Sequence, residues 1–527
     1  MSLWLHRLPT DRLARLSHEN SLRPQSSDAE KRSENLPLVT YGRRGNADFI
    51  LSLNAAAERL GLKQGLALAE ARAMHPDLAA VAEDAAANAQ LLDRLADWCE
   101  RYTPLVALDP PDGILLDISG CTHLHGGEQE LAEDLVERLR RFGFALRAGI
   151  ACTIGAASAV ARYHDAINIV ASSDESALLA PLPIAALRLP EEMIASLKRV
   201  GLKRIADIAG LPRAPLAARF GAVLLVQLDR ALGRESEPLN PRLPVAPYVA
   251  EQRFAEPIAR EEDVLAAAER LAARLKTMLE RRGEGVRRIE LALFRTDGAV
   301  RRITAGTSRP LREPRELRAL FVERLAALAE EFDPGFGFDL ARLAVLIAEP
   351  APPEQIGFGH AEHDGEVDGL VDRLSARLGA HRVLRHVAQD SHIPELAAAT
   401  LPAQAAAAQA MPAQNWATYR RHRAVAELAP RPLRLLAKPE PIEALATVPD
   451  GPPLRFRWRR ALHEVIAAEG PERIAGAWWG EDAGPARDYF RVEDKSGRRF
   501  WVFRAGLYRD VIDGMTPPRW FMHGLYG

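Results

Sequence analysis

The spacing of apolar residues divides the chain into short strands and amphipathic helices. Residues 2–5 are apolar and predict a buried opening strand, and the polar run 19–36 predicts a loop. LPLVTYG (36–42) and DFILSL (48–53) predict two strands around a glycine-containing turn. From Asn54 to Ala73 the period becomes helical. It is interrupted at LGLKQGLAL (60–68), where two glycines four residues apart predict a helix end, a tight turn and a new helix. His75-Pro76 closes that helix. Residues 84–102 predict a long amphipathic helix, GILLDIS (113–119) an apolar strand, residues 128–143 a helix ended by Gly143, and ALRAGIA (145–151) a further strand. Strands alternating with helices point to an α/β or α+β core. Residues 187–233 are helical and punctuated by Gly201, Gly210, Gly221 and Gly233. Residues 255–347 read as strand, long helix, strand pair, helix, strand. The pair is RRIELALF (287–294) and VRRITAG (300–306), joined at Thr296-Asp297-Gly298. The Ala, Pro and Gln content of 388–430 predicts a linker, and 431–527 forms a last module dense in aromatic residues.

At 527 residues the chain is too long for one core, so three or more domains are expected. Its 47% hydrophobic and 27% charged residues are ordinary for a globular protein. A formal net charge of -2 gives no whole-chain attraction to nucleic acid, so DNA contact requires local basic patches. Residues 274–315 supply one: 12 Lys/Arg less 5 Asp/Glu gives +7. Arg287, Arg288, Arg301 and Arg302 sit on the expected hairpin, where they would pair with backbone phosphates without reading sequence. Cys99, Cys121 and Cys152 fit neither a zinc spacing nor a disulfide framework, which suits a reducing cytoplasm. The N-terminus lacks a secretory pattern and no apolar stretch is long enough to span a bilayer, so a cytoplasmic location without a membrane partner is expected.

AAERLGLKQGLALAEARAMHPDLAAV (56–81) resembles the finger segment of Y-family translesion DNA polymerases, which carries A-R-x-x-G-I-x-x-G-M-x-x-x-E-A. Further resemblances follow in the family's order. LLDISG (115–120) is similar to its L-D-L-T-G, GIACTIGAASAVAR (149–162) to its G-I-x-x-N-K-x-x-A-K, and LKRVGLKRIADIAGLP (197–212) to its helix-hairpin-helix thumb. The resemblance covers the first two thirds of the chain and implies an α+β right-hand architecture. Palm and fingers would occupy 1–182, the thumb 183–244 and the little finger 245–350. An extension and flexible linker would follow at 351–430, then a C-terminal α/β module at 431–527.

Nucleotidyl transfer in that family needs two divalent ions about 4 Å apart, held by carboxylate oxygens. The resemblance places Trp4 at the first catalytic Asp, His6 at the second acidic position of that strand and Leu8 at the sugar-gating aromatic. It places Pro110-Pro111-Asp112-Gly113 on the S-I-D-E loop, so Asp112 survives and the Glu becomes Gly113. At the triphosphate positions Ala55 stands for Tyr, Glu58 for Arg, and Ile154 and Ser158 for two lysines. A phosphate clamp thereby becomes a repelling carboxylate. The implication is a polymerase architecture without catalytic groups, metal or cofactor. Asp109, Asp112 and Asp117 read as turn and strand-end structure, with a reduced metal site around Asp112 as the alternative.

The C-terminal segments, among them VPDGPPLRFRWRR (448–460), RDYFRVEDKSGRRFWVFRAGLY (487–508) and PPRWFMHGLYG (517–527), resemble those of an inducible-mutagenesis family of degenerate Y-family homologues. That family implies a non-catalytic adaptor of translesion synthesis and SOS mutagenesis. Its partners would be primer-template DNA, an error-prone C-family polymerase, a RecA-like protein and the sliding clamp. DYFRVED and RRFWVFR should form a hairpin across Lys495-Ser496-Gly497, with most aromatics in a core. Arg519, Trp520, Phe521 and Tyr526 are expected partner contacts, since aromatic and Arg anchors dominate interfaces. Gln355 and Phe358 are the candidate clamp-binding residues, and the turns at Gly201 and Gly210 are candidate phosphate contacts through backbone N–H groups. Two other functions fit the same residues: an active error-prone Y-family polymerase with a reduced metal site, and a protein-interaction module that does not touch DNA.

Overall fold

The computed structural model describes residues 1–19, 36–164, 167–170, 175–328, 332–351, 361–389, 391–405, 431–476, 485–506 and 518–527. The chain divides into two compact units, Met1–Ala305 with Pro310–Glu354, and Gly306–Arg309 with Gln355–Gly527.

The first unit opens with β1 (Ser2–Trp4), α1 (Leu8–Glu19), β2 (Leu38–Arg44), β3 (Ala47–Leu53), α2 (Ala55–Arg59), α3 (Leu68–Met74) and β4 (Ala79–Ala82). Next come α4 (Ala85–Cys99), β5 (Val106–Asp109), β6 (Gly113–Leu116), α5 (Glu128–Arg141), β7 (Arg147–Ile150), α6 (Ile154–Tyr163) and β8 (Ile167–Ile169). The strands order as β5-β6-β1-β7-β8, with Leu3 opposite Ile114 on one side and Ala148 on the other. Leu3 and Ile114 are buried in one core with Leu92, Leu95 and Trp98 of α4 and Leu131, Leu135 and Leu139 of α5. Those α5 residues recur every four positions, and Gly143 ends the segment at φ +84°, a conformation glycine adopts without strain. Alternation along β1 sends Trp4 to the opposite face. Helix α6 covers that face closely: a Cβ on Gly149 would sit 2.4 Å from the carbonyl oxygen of Ala157, so the contact requires glycine. The insertion β2–β4 forms its own three-stranded sheet, ordered β3-β2-β4, over a core of Val39, Ile50, Leu62 and Leu68.

After α7 (Glu175–Leu179), the helices α8 (Glu191–Arg199), α9 (Ile205–Ala209), α10 (Arg213–Phe220) and α11 (Ala222–Ala231) pack around Leu197, Ile208, Leu216 and Leu224. A second α+β layer follows: β9 (Tyr248–Ile258), α12 (Glu261–Arg282), β10 (Glu284–Arg295), β11 (Val300–Leu311), α13 (Pro314–Ala327) and β12 (Phe338–Pro350). Its sheet orders β11-β10-β12-β9, and both helices press Val264, Leu271, Leu275, Leu317 and Phe321 onto Ile289, Leu291 and Leu343. Helix α12 has Glu261, Glu262 and Asp263 in its first turn and Arg281 and Arg282 in its last, matching the helix dipole at both ends.

The second unit contains α14 (Ala361–Leu378), the hairpin β13 (Leu384–Ala388) and β14 (Ala398–Pro402), and six further strands. These are β15 (Arg434–Ala446), β16 (Pro453–Trp458), β17 (Ala461–Ile474), β18 (Arg487–Asp494), β19 (Arg499–Ala505) and β20 (Arg519–Leu525), and they close into a barrel. Two expectations are corrected here. The C-terminal module is a β-barrel among its described residues, not α/β. Pro439 and Pro441 argue against a strand in sequence, but β15 accommodates the segment with a register shift between Leu435 and Glu440. The expected linker 388–430 begins too early, because Ala398–Pro402 is a strand and Glu395 reaches Arg487 of β18 at 2.6 Å. The hairpin expected across Lys495-Ser496-Gly497 is present, pairing Phe490 with Val502 and Tyr489 with Phe503. Among the described residues no helix is long and apolar enough to cross a membrane.

Candidate functional site

Register brings the two principal acid positions of the palm face to face. Trp4 lies directly opposite Gly113 on β6 and opposite Arg147 on β7. The indole Nε1 donates to Asp112 Oδ2 at 2.9 Å. Arg162 of α6 donates to Asp112 Oδ1 at 3.1 Å and to Asp109 Oδ2 at 3.2 Å, and its guanidinium lies 5.6 Å from the Trp4 ring centre. Both carboxylates near the expected metal position are thus held by one internal cation. Gly113 leaves no room for a side chain, since a Cβ there would meet Asp109 O at 2.7 Å. His6 is beside Trp4, with ring centres 5.2 Å apart; its burial, reinforced by Arg7 and Arg147, lowers its pKa and favours neutral imidazole. An indole N–H donor, a glycine and two neutralised aspartates do not fit a pair of divalent ions, which require several unshared carboxylate oxygens.

Sequence reasoning missed Arg162. The signal was present: Ile154, Ser158 and Arg162 follow at intervals of four and share one stripe of α6. The expected triphosphate positions follow the same sense. Glu58 on α2 pairs with Arg7, so the carboxylate is balanced within the chain and no cation is offered. Ala55 is exposed, Ile154 is half-buried and Ser158 is buried within α6. Leu8 is buried in the palm core.

The four hairpin arginines separate into two classes. Arg288 and Arg301 are exposed. Arg287 pairs with Glu349 at 3.0 Å. Arg302 is bound to Glu100 at 2.6 Å, Glu290 at 2.7 Å and Asp97 at 3.3 Å. Burial opposes its charge, yet these carboxylates outweigh that and push its pKa up. Beside it Arg342 donates to Glu251 at 2.5 Å and to Glu100 O at 2.5 Å. A sheet face expected to meet phosphates therefore rests in part on the acidic end of α4. In the thumb, the Gly201 N–H is bonded to Lys198 O at 3.1 Å, and Asp207 Oδ2 accepts the Lys203 and Arg204 N–H groups at 2.8 Å each. Gly201 serves the turn through its φ of +88°, and Gly210 caps α9; neither presents a free N–H donor to phosphate.

The chain is 40% identical over 479 residues to Protein ImuB of Caulobacter vibrioides (strain NA1000 / CB15N), covering 89% of this chain and 100% of that protein. The chain belongs to the ImuB family. Residues 26–162 match the impB/mucB/samB family, and residues 247–358 match its C-terminal domain. DNA polymerase IV of Alkalilimnicola ehrlichii is 24% identical over 304 residues, 57% of this chain and 84% of that protein. Among solved structures, DinB from Sulfolobus solfataricus aligns at 13% identity over 66% of this chain and 98% of its own, with a TM-score of 0.36. A post-insertion binary complex of Dbh DNA polymerase aligns at 15% identity over 65% and 97%, with a TM-score of 0.37. The ImuB-family chain carries Y-family polymerase domains, followed by a β module.

In this ImuB-family chain the expected partner residues are placed unevenly. Arg519 is exposed. Phe521 is half-buried and stacks on Phe503 at 5.1 Å. Trp520 is only 7% exposed and packs in the barrel core with Phe456, Phe490, Val502 and Met522, so its assignment as a surface contact is corrected. Alternation explains this: on β20, Trp520 and Met522 point inward while Arg519 and Phe521 point away. Gln355 and Phe358 lie outside the described residues.

Proposed function

We propose that this ImuB-family chain is a non-catalytic adaptor of translesion DNA synthesis and SOS mutagenesis in the cytoplasm. It holds primer-template DNA loosely and recruits an error-prone C-family polymerase, an ImuA-like RecA-related protein and the sliding clamp. The observation that carries this reading is the palm cluster, in which Arg162 and the Trp4 indole occupy the two aspartates that remain near the metal position. The proposed domain limits are 1–182 for palm and fingers, 183–244 for the thumb and 245–350 for the little finger. The recruiting module begins upstream of Arg431, because Glu395 pairs with Arg487. Gln355 and Phe358 remain the proposed clamp contact.

Recruitment is tested by truncation. A chain ending at residue 379 should keep its DNA affinity and fail to capture the C-family polymerase or the ImuA-like protein, as read by pull-down with purified partners. Undiminished capture of both by the truncated chain would move the recruiting surface to the first unit.

The pairing of Arg287 and Arg302 favours a second reading, a module that binds protein and not DNA. A salt titration separates the two. If exposed Arg288 and Arg301 contact phosphates, replacing both by Ala should weaken binding to all sequences alike. It should also flatten the slope of log K against log salt by about 0.7–0.9 for each phosphate no longer neutralised. An unchanged slope in a folded variant removes this hairpin from any DNA interface.

A further inference from the structure

The barrel carries a hollow of about 460 Å³ at one end, whose lining includes Tyr526 but neither Arg519 nor Phe521. Two tight turns form its rim. The β16–β17 turn presents Arg459, and the β18–β19 turn presents Arg498 and Arg499. Between them lie the half-buried rings of Trp458 and Tyr526 and the buried ring of Phe500. Four arginines and no carboxylate occur in residues 453–463, and Lys495, Arg498 and Arg499 in 495–499.

The first turn breaks a local rule. Trp458 faces Ala461 across two residues, Arg459 and Arg460, whose φ angles are +45° and +69°. Two consecutive left-handed residues define the hairpin turn that favours Asn-Gly, because a Cβ is strained there. Placing two arginines in it works against folding, and both are exposed. Strained backbone of this kind collects at functional sites.

The second turn is rigidly built. Asp494 Oδ1 accepts from Ser496 N at 2.9 Å, Ser496 Oγ at 2.6 Å and Arg498 N at 3.1 Å, while Oδ2 bonds His463 Nδ1 at 2.8 Å. His463 lines the hollow, is only 6% exposed, and its Nε2 has no hydrogen-bond partner among the described residues. The carboxylates near the rim already have partners: Glu440 accepts from Arg459 Nε at 2.9 Å and from Trp458 Nε1 at 2.7 Å, Glu493 pairs with Arg499 at 2.9 Å, and Glu464 pairs with Lys495. Both arginines are exposed, and such pairs are weak enough to exchange for a better anion.

Cationic forks beside flat aromatic faces suit a ligand that is anionic along its backbone and planar in its side groups. We propose that this end of the barrel binds single-stranded nucleic acid. Phosphates pair with Arg459, Arg460 and Arg498, and one base stacks on the face of Trp458 or Tyr526 turned away from Arg459, 4.8 Å from the first ring, or Arg491, 5.2 Å from the second. The site goes beyond the recruiting role and stands whether or not that role does.

The test uses the full chain and fluorescent oligothymidine of fifteen nucleotides. The variant Arg459→Asn with Arg460→Gly gives this turn its preferred residues, so folding should hold or improve, and Arg498→Ala removes the third cation. The triple variant is expected to bind roughly tenfold more weakly, with the salt slope reduced by about 0.7 for each phosphate left unpaired. The weakening should be the same with and without Arg288→Ala and Arg301→Ala, which separates this site from the little finger. An abasic oligonucleotide of equal length should bind at least about fivefold more weakly to the parent chain, reporting the stacked base. Unchanged oligothymidine affinity in the triple variant, with its melting temperature maintained, overturns the site. Stronger competition by polyglutamate than by oligothymidine overturns the ligand class in favour of an acidic peptide.

Discussion

Primer extension by the purified chain, with Mg²⁺ or Mn²⁺, primed template and all four deoxynucleotides, is expected to match the control without protein. The metal ions of nucleotidyl transfer supply several kcal/mol of charge stabilisation, so their loss costs on the order of 10³-fold or more. No single reversion should recover it. Trp4→Asp restores one carboxylate, but Arg162 still holds Asp109 and Asp112, and Gly113 has no space for Glu. Combining Trp4→Asp with Arg162→Ala should release Asp109 and Asp112 and add a third carboxylate beside them, and Mn²⁺ should then raise the melting temperature of that variant while leaving the parent chain unchanged. Template-dependent extension by the parent chain that Asp112→Ala abolishes would reveal a working reduced metal site and remove the adaptor reading.

Trp520→Ala is expected to destabilise the barrel rather than merely weaken a partner contact. The ring is buried 5.6 Å from Phe490 among Phe456, Val502 and Met522. Truncating a core aromatic costs about 3–5 kcal/mol, which in a module of this size lowers the melting transition on the order of 15 °C. Arg519→Ala, at the exposed neighbouring position, should leave that transition in place, so any weaker capture it causes reports direct binding. Differential scanning calorimetry of the two variants decides the matter. A Trp520→Ala barrel that melts within about 2 °C of the parent and no longer captures a partner would place the indole on the surface.

The elements were largely legible in the chain because their signals are local. The four-residue recurrence of Leu131, Leu135 and Leu139 and the turn at Thr296-Asp297-Gly298 both appear where the sequence places them. The aromatic hairpin 487–505 was equally plain, since alternation and a glycine turn specify it without outside help. The barrel was not. Its first strand contains Pro439 and Pro441, and its closure depends on β15 meeting β20, a pairing between chain segments some eighty residues apart that no local period encodes. Trp520 was misplaced for the same reason: which face of a strand is inner is known only once the sheet closes.

By itself the sequence determined the order of the Y-family segments and which residue types, Trp4, Gly113, Ala55 and Glu58, stand where the family resemblance expects catalytic and triphosphate groups. Each is a matter of identity at a position along the chain. Only the tertiary structure decided which charges remain available. Arg162 reaches Asp109 across 53 residues, and Arg302 reaches Glu100 across 202. Such pairs form because sheet order and helix packing bring distant segments together. Charge counting along the chain registers Arg302 as one more cation for DNA, whereas in the folded protein three carboxylates already surround it.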